Sequence, residues 1–379
     1  MRVIQFVATA GYGGLERHFV DLCTALSGRG IEVIAVADQA FADRLPQAVR
    51  HVPIRVDGPR HSPLSLARVA RTIGQYEADI IHTHATKATS MFRTVRPFFL
   101  RGPLHVATVH GMKRSVNAYE SADAVICVSQ RVSRTIRRAA KRVIYNGIEP
   151  NGLPTDADRA SARLALGVPE GRPLLMTVGR LASVKGLDVL IEAMVNVEAT
   201  LAIVGDGPEL RCLQEQAARL GVDDRVIFTG FRDDVPCLLP GADLAVISSR
   251  REGFPYVLVE MLQNRLPVLT TDVGDMRELL GDAMVVPTQD PAALRERLQR
   301  ALEDLSGLKE KFAPHFDRAR REFTCTQMAE QTLELYEQVL AKRPHRLYQT
   351  REDDPTRRDR RSAGYPLGSA AAGASGGSS

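Results

Sequence analysis

Short Val/Ile-rich runs alternate with helix-period segments along this chain, and the alternation occurs twice. RVIQFVA, IEVIAVA, ADIIHTH, LHVATVH and DAVICVS make up the first series. Most of the spacers between them repeat apolar residues with a helical period. ERHFVDLCTALSGRG is one such spacer, and it closes on the stop signal Gly28-Arg29-Gly30. Strands alternating with helices require crossover connections, so the strands run parallel. Near-continuous apolar strands further imply a sheet covered on both faces. The pattern pauses at PNGLPTDADRASARLALGVPEGRP, a Pro/Gly/Asp-rich linker with a short helix, and restarts with PLLMTVGR, ATLAIVGDG, RVIFTG, DLAVISS and LPVLTT. The chain of 379 residues is long enough for two cores. We therefore expect two doubly wound α/β domains, residues 1–150 and 151–325, joined near Pro150. Their ligands belong at the carboxyl ends of the strands, in the central cleft that the domains face. Residues 326–342, TQMAEQTLELYEQVLAK, read as a last amphipathic helix. Beyond Pro344 the composition falls to Arg/Asp and then GSAAAGASGGSS, which is expected to be a disordered tail over 344–379.

Composition narrows the function classes. Arg2 begins a strand-like run rather than a signal peptide, and no apolar stretch approaches the ~20 residues of a membrane span. A cytoplasmic protein is expected. The five cysteines, Cys23, Cys127, Cys212, Cys237 and Cys325, are scattered without C-x-x-C spacing, which gives no zinc or redox pattern. The net charge is +5, and six arginines against four acids lie beyond Pro344. No concentrated basic face points to nucleic acid.

The loop GYGGLERHF, residues 11–19, ends the first strand and opens a helix. Three readings fit it. Gly11 and Gly13 match a dinucleotide fingerprint, with Asp38 after the second strand as a ribose acid, but Glu16 stands where the third glycine belongs. A tight turn of purely structural purpose also fits. So does a phosphate or sugar loop, because glycines admit a ligand to the backbone and a helix N-terminus favours negative charge.

Four motifs in the second half narrow the choice. TVGRLASVKG sets Arg180 and Lys185 at a strand end, two cations suited to a diphosphate. IVGDGPEL is a strand-to-helix turn through Gly205, Asp206 and Gly207. FTGFRDDVP places Phe231 and Arg232 after another strand. EGFPYVLVE carries Glu252 in a loop and Glu260 on the following helix, with Pro255 suited to its first turn. Carboxylates accept hydrogen bonds from sugar hydroxyls, and free N–H groups such as that of Val257 suit phosphate.

Taken in order, the four motifs resemble those of the retaining glycosyltransferases of family 4, which have the GT-B fold of two Rossmann-like domains. The resemblance runs from Met1 to about Lys342. Glu252 and Glu260, with seven residues between them, are its most specific element, and GYGGLERH, TVHG, VICVSQ and VIYNGIE are similar to landmarks of its first domain. The resemblance implies a nucleotide-diphospho-sugar donor, UDP-sugar first among them, no cofactor and no metal. Arg180 and Lys185 would clamp the diphosphate in place of a metal. Asp156 and Asp158 form an Asp-x-Asp like that of metal-dependent transferases of another fold, but they lie in the linker. Glu260 would bind ribose. Glu252 would bind the donor sugar beside the backbone of Gly253, Phe254 and Tyr256. Phe231 and Arg232 would border the base, and Gly13 and Gly14 would approach the diphosphate and sugar. His110 matches a histidine close to the transferred sugar. His84 and Lys113 fall on the acceptor side. His82, His84 and His110 together make a weak zinc pattern. The last helix is expected to pack back on the first domain.

The chain departs from the family pattern at Tyr256, where Asn is common, at Met261, in the turn LQNRLPV, and at Gly274-Asp275, where a Gly pair is common. These departures bear on donor specificity.

On the acceptor side, MFRTVRPFFLRG sets Phe98, Phe99 and Leu100 among Arg93, Arg96 and Arg101, a pattern suited to a membrane interface. QRVSRTIRRAAKR, read as a helix, puts Arg134, Arg138 and Lys141 on one face. Both patches suit anionic lipid. The expected enzyme is a metal-independent, retaining hexosyl-type transferase, peripheral on the inner face of the cytoplasmic membrane. Its expected acceptor is an anionic glycolipid such as a lipopolysaccharide core. A transferase making a soluble glycoside, a dinucleotide-dependent oxidoreductase and a non-catalytic sugar-nucleotide-binding protein are the rival readings.

Overall fold

The apolar runs fold as strands that are buried along almost their whole length. The structure is a computed structural model that describes residues 1–342 apart from 12, 57, 100, 101, 138 and 170. The tail expected over 344–379, Leu100 and Arg101 of the apolar patch, and Arg138 lie outside the described residues.

The first half forms β1 (Arg2–Val7), β2 (Glu32–Ala37), β3 (Arg50–Pro53), β4 (Ile80–His84), β5 (Leu104–Val109), β6 (Ala124–Cys127) and β7 (Lys141–Val143). They build one seven-stranded sheet in the order β3-β2-β1-β4-β5-β6-β7, every pair parallel. The second half forms β8 (Leu174–Val178), β9 (Thr200–Val204), β10 (Val226–Gly230), β11 (Leu244–Ile247), β12 (Val268–Thr271) and β13 (Val285–Val286). Its six-stranded sheet runs β10-β9-β8-β11-β12-β13, again all parallel. These are two doubly wound, Rossmann-like α/β units.

Parallel strands need cover on both faces, and the side chains supply it. On one face of the first sheet, Val3, Val7 and Val33 pack with Phe19, Leu22 and Leu26 of the helix Gly14–Ser27. The helix Cys325–Ala341 adds Met328, Tyr336 and Val339 to that same face. On the other face, Ile4, Phe6 and Ile34 pack with Val69, Ile73, Met91 and Phe92. Each side chain of this size stabilises the fold by about 1.5–3 kcal/mol when fully buried.

Three strands were not expected from the sequence, and all three are sheet edges. β3 reads RHVP and β7 reads KRV, while β13 is two residues long. Edge strands are kept short, charged or proline-bearing, which hides them from an apolar-run criterion.

One expectation is corrected here. QRVSRTIRRAAKR is not a helix: only Gln130–Ser133 is helical, and Lys141 already belongs to β7. The carboxylate of Glu120 accepts from the N–H groups of Arg137 (2.7 Å) and Ala139 (3.0 Å), so the chain there has no need of a helical ladder. Lys141 Nζ donates to the Ser133 and Ile136 carbonyls (2.9 and 2.6 Å), which closes the short helix. Arg134 and Lys141 therefore share no helix face.

The strand order reverses between β1 and β4 in the first sheet, and between β8 and β11 in the second. Such reversals open a crevice at the carboxyl ends of the strands. GYGG, Arg180 with Lys185, and Glu252 lie on the loops that leave β1, β8 and β11, and His84 ends β4 itself.

Candidate active site

The second crevice is built by two backbone approaches. β8 runs into Gly179 (φ 155°) and then Arg180, and Lys185 ends a single 3₁₀ turn, Ser183–Lys185. Gly186 follows in the left-handed region (φ 62°), and a Cβ there would lie 2.2 Å from the Ser248 carbonyl oxygen. Only glycine lets the Lys185 turn seat so closely on the end of β11. Lys185 Nζ donates to Glu252 Oε1 at 2.6 Å, and Ser249 Oγ donates to the same oxygen at 2.8 Å. Ser248 Oγ donates to the Lys185 carbonyl at 3.0 Å. Two residues read separately in the sequence, Lys185 and Glu252, thus form one half-buried ion pair. Arg180 is exposed. Thr177, Gly179, Arg180, Lys185, Ser249 and Val257 line a pocket beside the pair.

Gly205 and Gly207 hold this crevice from below. A Cβ on Gly205 would lie 2.0 Å from the Gly179 carbonyl oxygen, and one on Gly207 would lie 2.3 Å from that of Leu181. Asp206 Oδ1 accepts from the Gly207 N–H at 2.7 Å. The IVGDGPEL turn therefore packs backbone on backbone beneath the Arg180 loop. Phe231 stands 75% exposed, and Arg232 is held by both oxygens of Asp234 (2.7 and 2.5 Å).

The helix Tyr256–Gln263 begins one residue later than Pro255, which serves as its N-cap in an extended conformation (φ −76°, ψ 136°). The first half closes over this helix. A Cβ on Gly14 would lie 3.4 Å from the Tyr256 ring, and one on Gly253 would lie 2.7 Å from the His110 carbonyl oxygen. Asn146 Nδ2 donates to the Phe254 carbonyl at 2.7 Å. Arg17 forms an ion pair with Glu260 and lies 5.1 Å from the centre of the Tyr256 ring. Burial works against the Arg17 charge, but Glu260 and Asp21 outweigh it and raise its pKa. Arg17, Asp21, Glu149, Glu260 and Gln263 line a second cleft of about 340 Å³. Glu260 thus lines this second cleft, while Lys185, the partner of Glu252, lines the first, and Arg17 already occupies Glu260.

Histidines fill the first crevice. His84 ends β4, and His110 follows β5 directly. His84 Nε2 is 2.7 Å from Gln5 Oε1, and its Nδ1 is 3.4 Å from His110 Nε2. His82 is fully engaged, at 2.6 Å from both the Tyr336 hydroxyl and Thr108 Oγ1. Burial depresses the pKa of His82, His84 and His110 well below the ordinary value, and that of His18 to about 4. All four are neutral at pH 7. Two sequence expectations change. His84 is 1% exposed and sits behind His110, so it is not a wall of the acceptor cleft. His18, from the GYGG helix, joins His84 and His110 where His82 was expected. Its signal was its position four residues after Gly14, one turn into the helix. Lys113 is exposed, and burial followed by the charge of Arg251 across the cleft lowers its pKa.

Two acidic candidates are engaged elsewhere. Asp38 caps a 3₁₀ turn by accepting from the Ala40 N–H at 3.0 Å, which removes it from a ribose site. Asp158 closes a capping box with Thr155 at the start of the helix Asp156–Ala165. Glu16 lies under the glycine loop, accepting from Thr9 Oγ1 at 2.9 Å.

Comparison with known proteins agrees with this architecture. The family described as Glycosyltransferase Family 4 matches residues 12–151, and that described as Glycosyl transferases group 1 matches residues 158–315. The lipopolysaccharide core biosynthesis glycosyltransferase LpsE of Rhizobium meliloti is 28% identical over 273 residues, covering 68% of this chain and 76% of that protein. The phosphatidyl-myo-inositol mannosyltransferase of Mycobacterium leprae is 28% identical over 358 residues, covering 86% of this chain and 93% of that protein. Anabaena HepE, solved in complex with UDP-glucose, superposes with a TM-score of 0.79 at 25% identity, over 89% of this chain and all of that one. With a family 4 match on its first half and a group 1 match on its second, each on one of two doubly wound units, this chain belongs to the glycosyltransferases of the GT-B type.

Proposed function

We propose that this glycosyltransferase moves a sugar, with retention, from a nucleotide-diphospho-sugar to a hydroxyl of a cell-envelope glycolipid. The observation that carries the reading is that Arg180 and Lys185 line one pocket at the switch point of the second sheet, with Glu252 paired to Lys185 at its edge. Arg180 and Lys185 meet the donor diphosphate and stabilise the charge that develops on it as it leaves, so the chemical step needs no metal. Glu252 gives up Lys185 to that phosphate and accepts from hydroxyls of the sugar. Glu260 takes the ribose once Arg17 lets it go. Gly13 and Gly14 bring backbone N–H groups over the diphosphate, and Phe231 with Arg232 borders the base. His110 points from the first half toward the transferred sugar.

The acceptor hydroxyl attacks the anomeric carbon from the face that the diphosphate leaves. The bond from that carbon to the phosphate oxygen breaks, and the leaving phosphate takes the acceptor's proton. UDP-sugars are the favoured donors, in keeping with the UDP-glucose held by HepE. The relatives named above supply the acceptor class, since they act in lipopolysaccharide core and phosphatidyl-inositol glycoside synthesis.

Among the described residues no helix is long and apolar enough to cross a membrane. Membrane contact then falls to Phe98, which is 78% exposed, while Arg93 donates to the Asn117 carbonyl at 3.0 Å. Arg96 is tied to Asp123 at 2.6 Å and to the Ser121 carbonyl, so it contributes less than its sequence suggested. The test is UDP release from a panel of UDP-sugars, with glycolipid in vesicles or soluble sugars as acceptor, followed by NMR of the new anomeric centre. Transfer to lipid with an unchanged anomeric configuration supports the reading. Transfer to soluble acceptors alone, or inversion, rejects it.

A further inference from the structure

We propose that His18, His84 and His110 form a binding site for one divalent transition-metal ion, zinc by the chemistry of the ligand set. The three come from separate elements: the helix Gly14–Ser27, the end of β4 and the residue after β5. Their ring nitrogens lie within 4.8 Å of one another. His84 Nδ1 and His110 Nε2 are 3.4 Å apart. Two imidazole nitrogens at zinc's ~2.0–2.1 Å bond length, in a tetrahedral arrangement, stand about that far apart.

The hydrogen bonds behind the rings fix which nitrogens are bare. Asn146 donates its amide nitrogen to the Phe254 carbonyl, so its oxygen faces His18 Nδ1 at 3.0 Å. That nitrogen must carry the proton, which leaves Nε2 with a lone pair. His18 Nε2 is buried and has no hydrogen-bond partner, in a side chain only 2% exposed. Gln5 donates to the Tyr336 hydroxyl at 3.0 Å, so its oxygen faces His84 Nε2. His84 Nδ1 is therefore the lone-pair nitrogen, and it is the one turned to His110. A ligand histidine whose second nitrogen donates to a fixed carbonyl-type oxygen is the usual outer shell of a metal site.

Burial keeps all three rings neutral, so none must lose its charge to bind; His110 Nε2, which donates to His84 Nδ1 here, frees its lone pair by the ring's proton shifting to Nδ1. His82 takes no part, because both of its nitrogens are engaged. Three imidazoles suit zinc and leave a coordination position open. His110, half-buried while His18 and His84 are buried, is the member reached from the cleft. One corollary rests on the function proposed above: an ion held by His110 competes with the donor sugar, so zinc inhibits transfer.

The test is a Co²⁺ titration of the full chain, purified with chelator, followed by competition with Zn²⁺. No donor is present, so a failure here leaves the proposed function standing. One cobalt per chain is expected, with visible d–d absorption, no near-ultraviolet thiolate band and displacement by zinc. His18→Gln, checked for an intact melting transition, is expected to weaken binding at least tenfold. Asn146→Ala keeps all three rings and is expected to weaken it by about 10- to 100-fold. His82→Gln is expected to leave it unchanged. No saturable binding below millimolar cobalt, a thiolate band, or affinity unchanged in both His18→Gln and Asn146→Ala would overturn the proposal.

Discussion

Asp275 stands where the family commonly has a second glycine, and it ties the two halves together. Its carboxylate is 1% exposed and crosses from the second half to the first. It accepts from the N–H groups of Gln130 (2.5 Å) and Arg131 (2.9 Å) and from the Tyr145 hydroxyl (3.0 Å). The first two open the short helix Gln130–Ser133, so the charge also meets a helix N-terminus. Burial raises the Tyr145 pKa, and the neighbouring Asp275 charge raises it further, so the phenol stays a donor. Asp275→Ala removes the acceptor and leaves three donors without their partner. At about 1 kcal/mol for each, the loss is ~3 kcal/mol. With an unfolding entropy of ~2.1 cal/mol/K per residue, a chain of this size loses about 4 °C in Tm. Differential scanning calorimetry reads this directly. Asp275→Asn, which retains one oxygen acceptor, is expected to fall between. A variant melting within about 1 °C of the parent would refute the clamp.

Other outcomes follow from the same geometry. Lys185→Ala is expected to lower kcat by roughly 10²–10³-fold if the lysine meets charge developing in the transition state; a change confined to KM would place it in ground-state binding only. The buried histidines set a pH window. His18 falls from 6.5 to about 4 and His105 to about 3, so below pH 6.5 the unfolded chain binds protons that the folded chain does not. Stability is then flat above pH 6.5 and falls as the pH drops toward 4, by ~3 kcal/mol for His18 alone. Urea unfolding at pH 7.5 and 5 measures it, and equal midpoints would contradict the burial argument. Phe98→Ser, at a residue 78% exposed, is expected to leave Tm unchanged while reducing sedimentation with anionic vesicles; undiminished binding would remove the membrane role given to this patch.

The sequence showed the strands wherever Val and Ile run unbroken, because strands buried on both faces leave no polar alternation to misread. It hid β3, β7 and β13, whose Arg50, Lys141 and two-residue length belong to sheet edges. The motif loops were legible because a doubly wound sheet sends its ligand loops to the switch point, and GYGG, Arg180 and Glu252 all emerge there. The pairings were not legible. Lys185 meets Glu252 across 67 positions because β8 and β11 are neighbours in the second sheet, and Arg17 meets Glu260 across 243 because the two halves face each other. His18 was passed over for the same reason: one ring on a helix declares nothing until β4 and β5 bring His84 and His110 against it. The basic segment after Gln130 misled because its cations have helical spacing, while Glu120, ten residues earlier, takes the N–H groups that a helix would use.

The most direct test of the central claim is a thermal shift titration of the full chain, without metal, against UDP-, GDP-, ADP- and dTDP-sugars and NAD. Ligand at a hundredfold excess over Kd raises stability by ~2.7 kcal/mol. The account expects one nucleotide sugar to raise Tm by about 3 °C, and expects Lys185→Ala to abolish that rise. A rise with NAD alone, or a nucleotide-sugar shift that survives in Lys185→Ala, would contradict the placement of the donor diphosphate between Arg180 and Lys185.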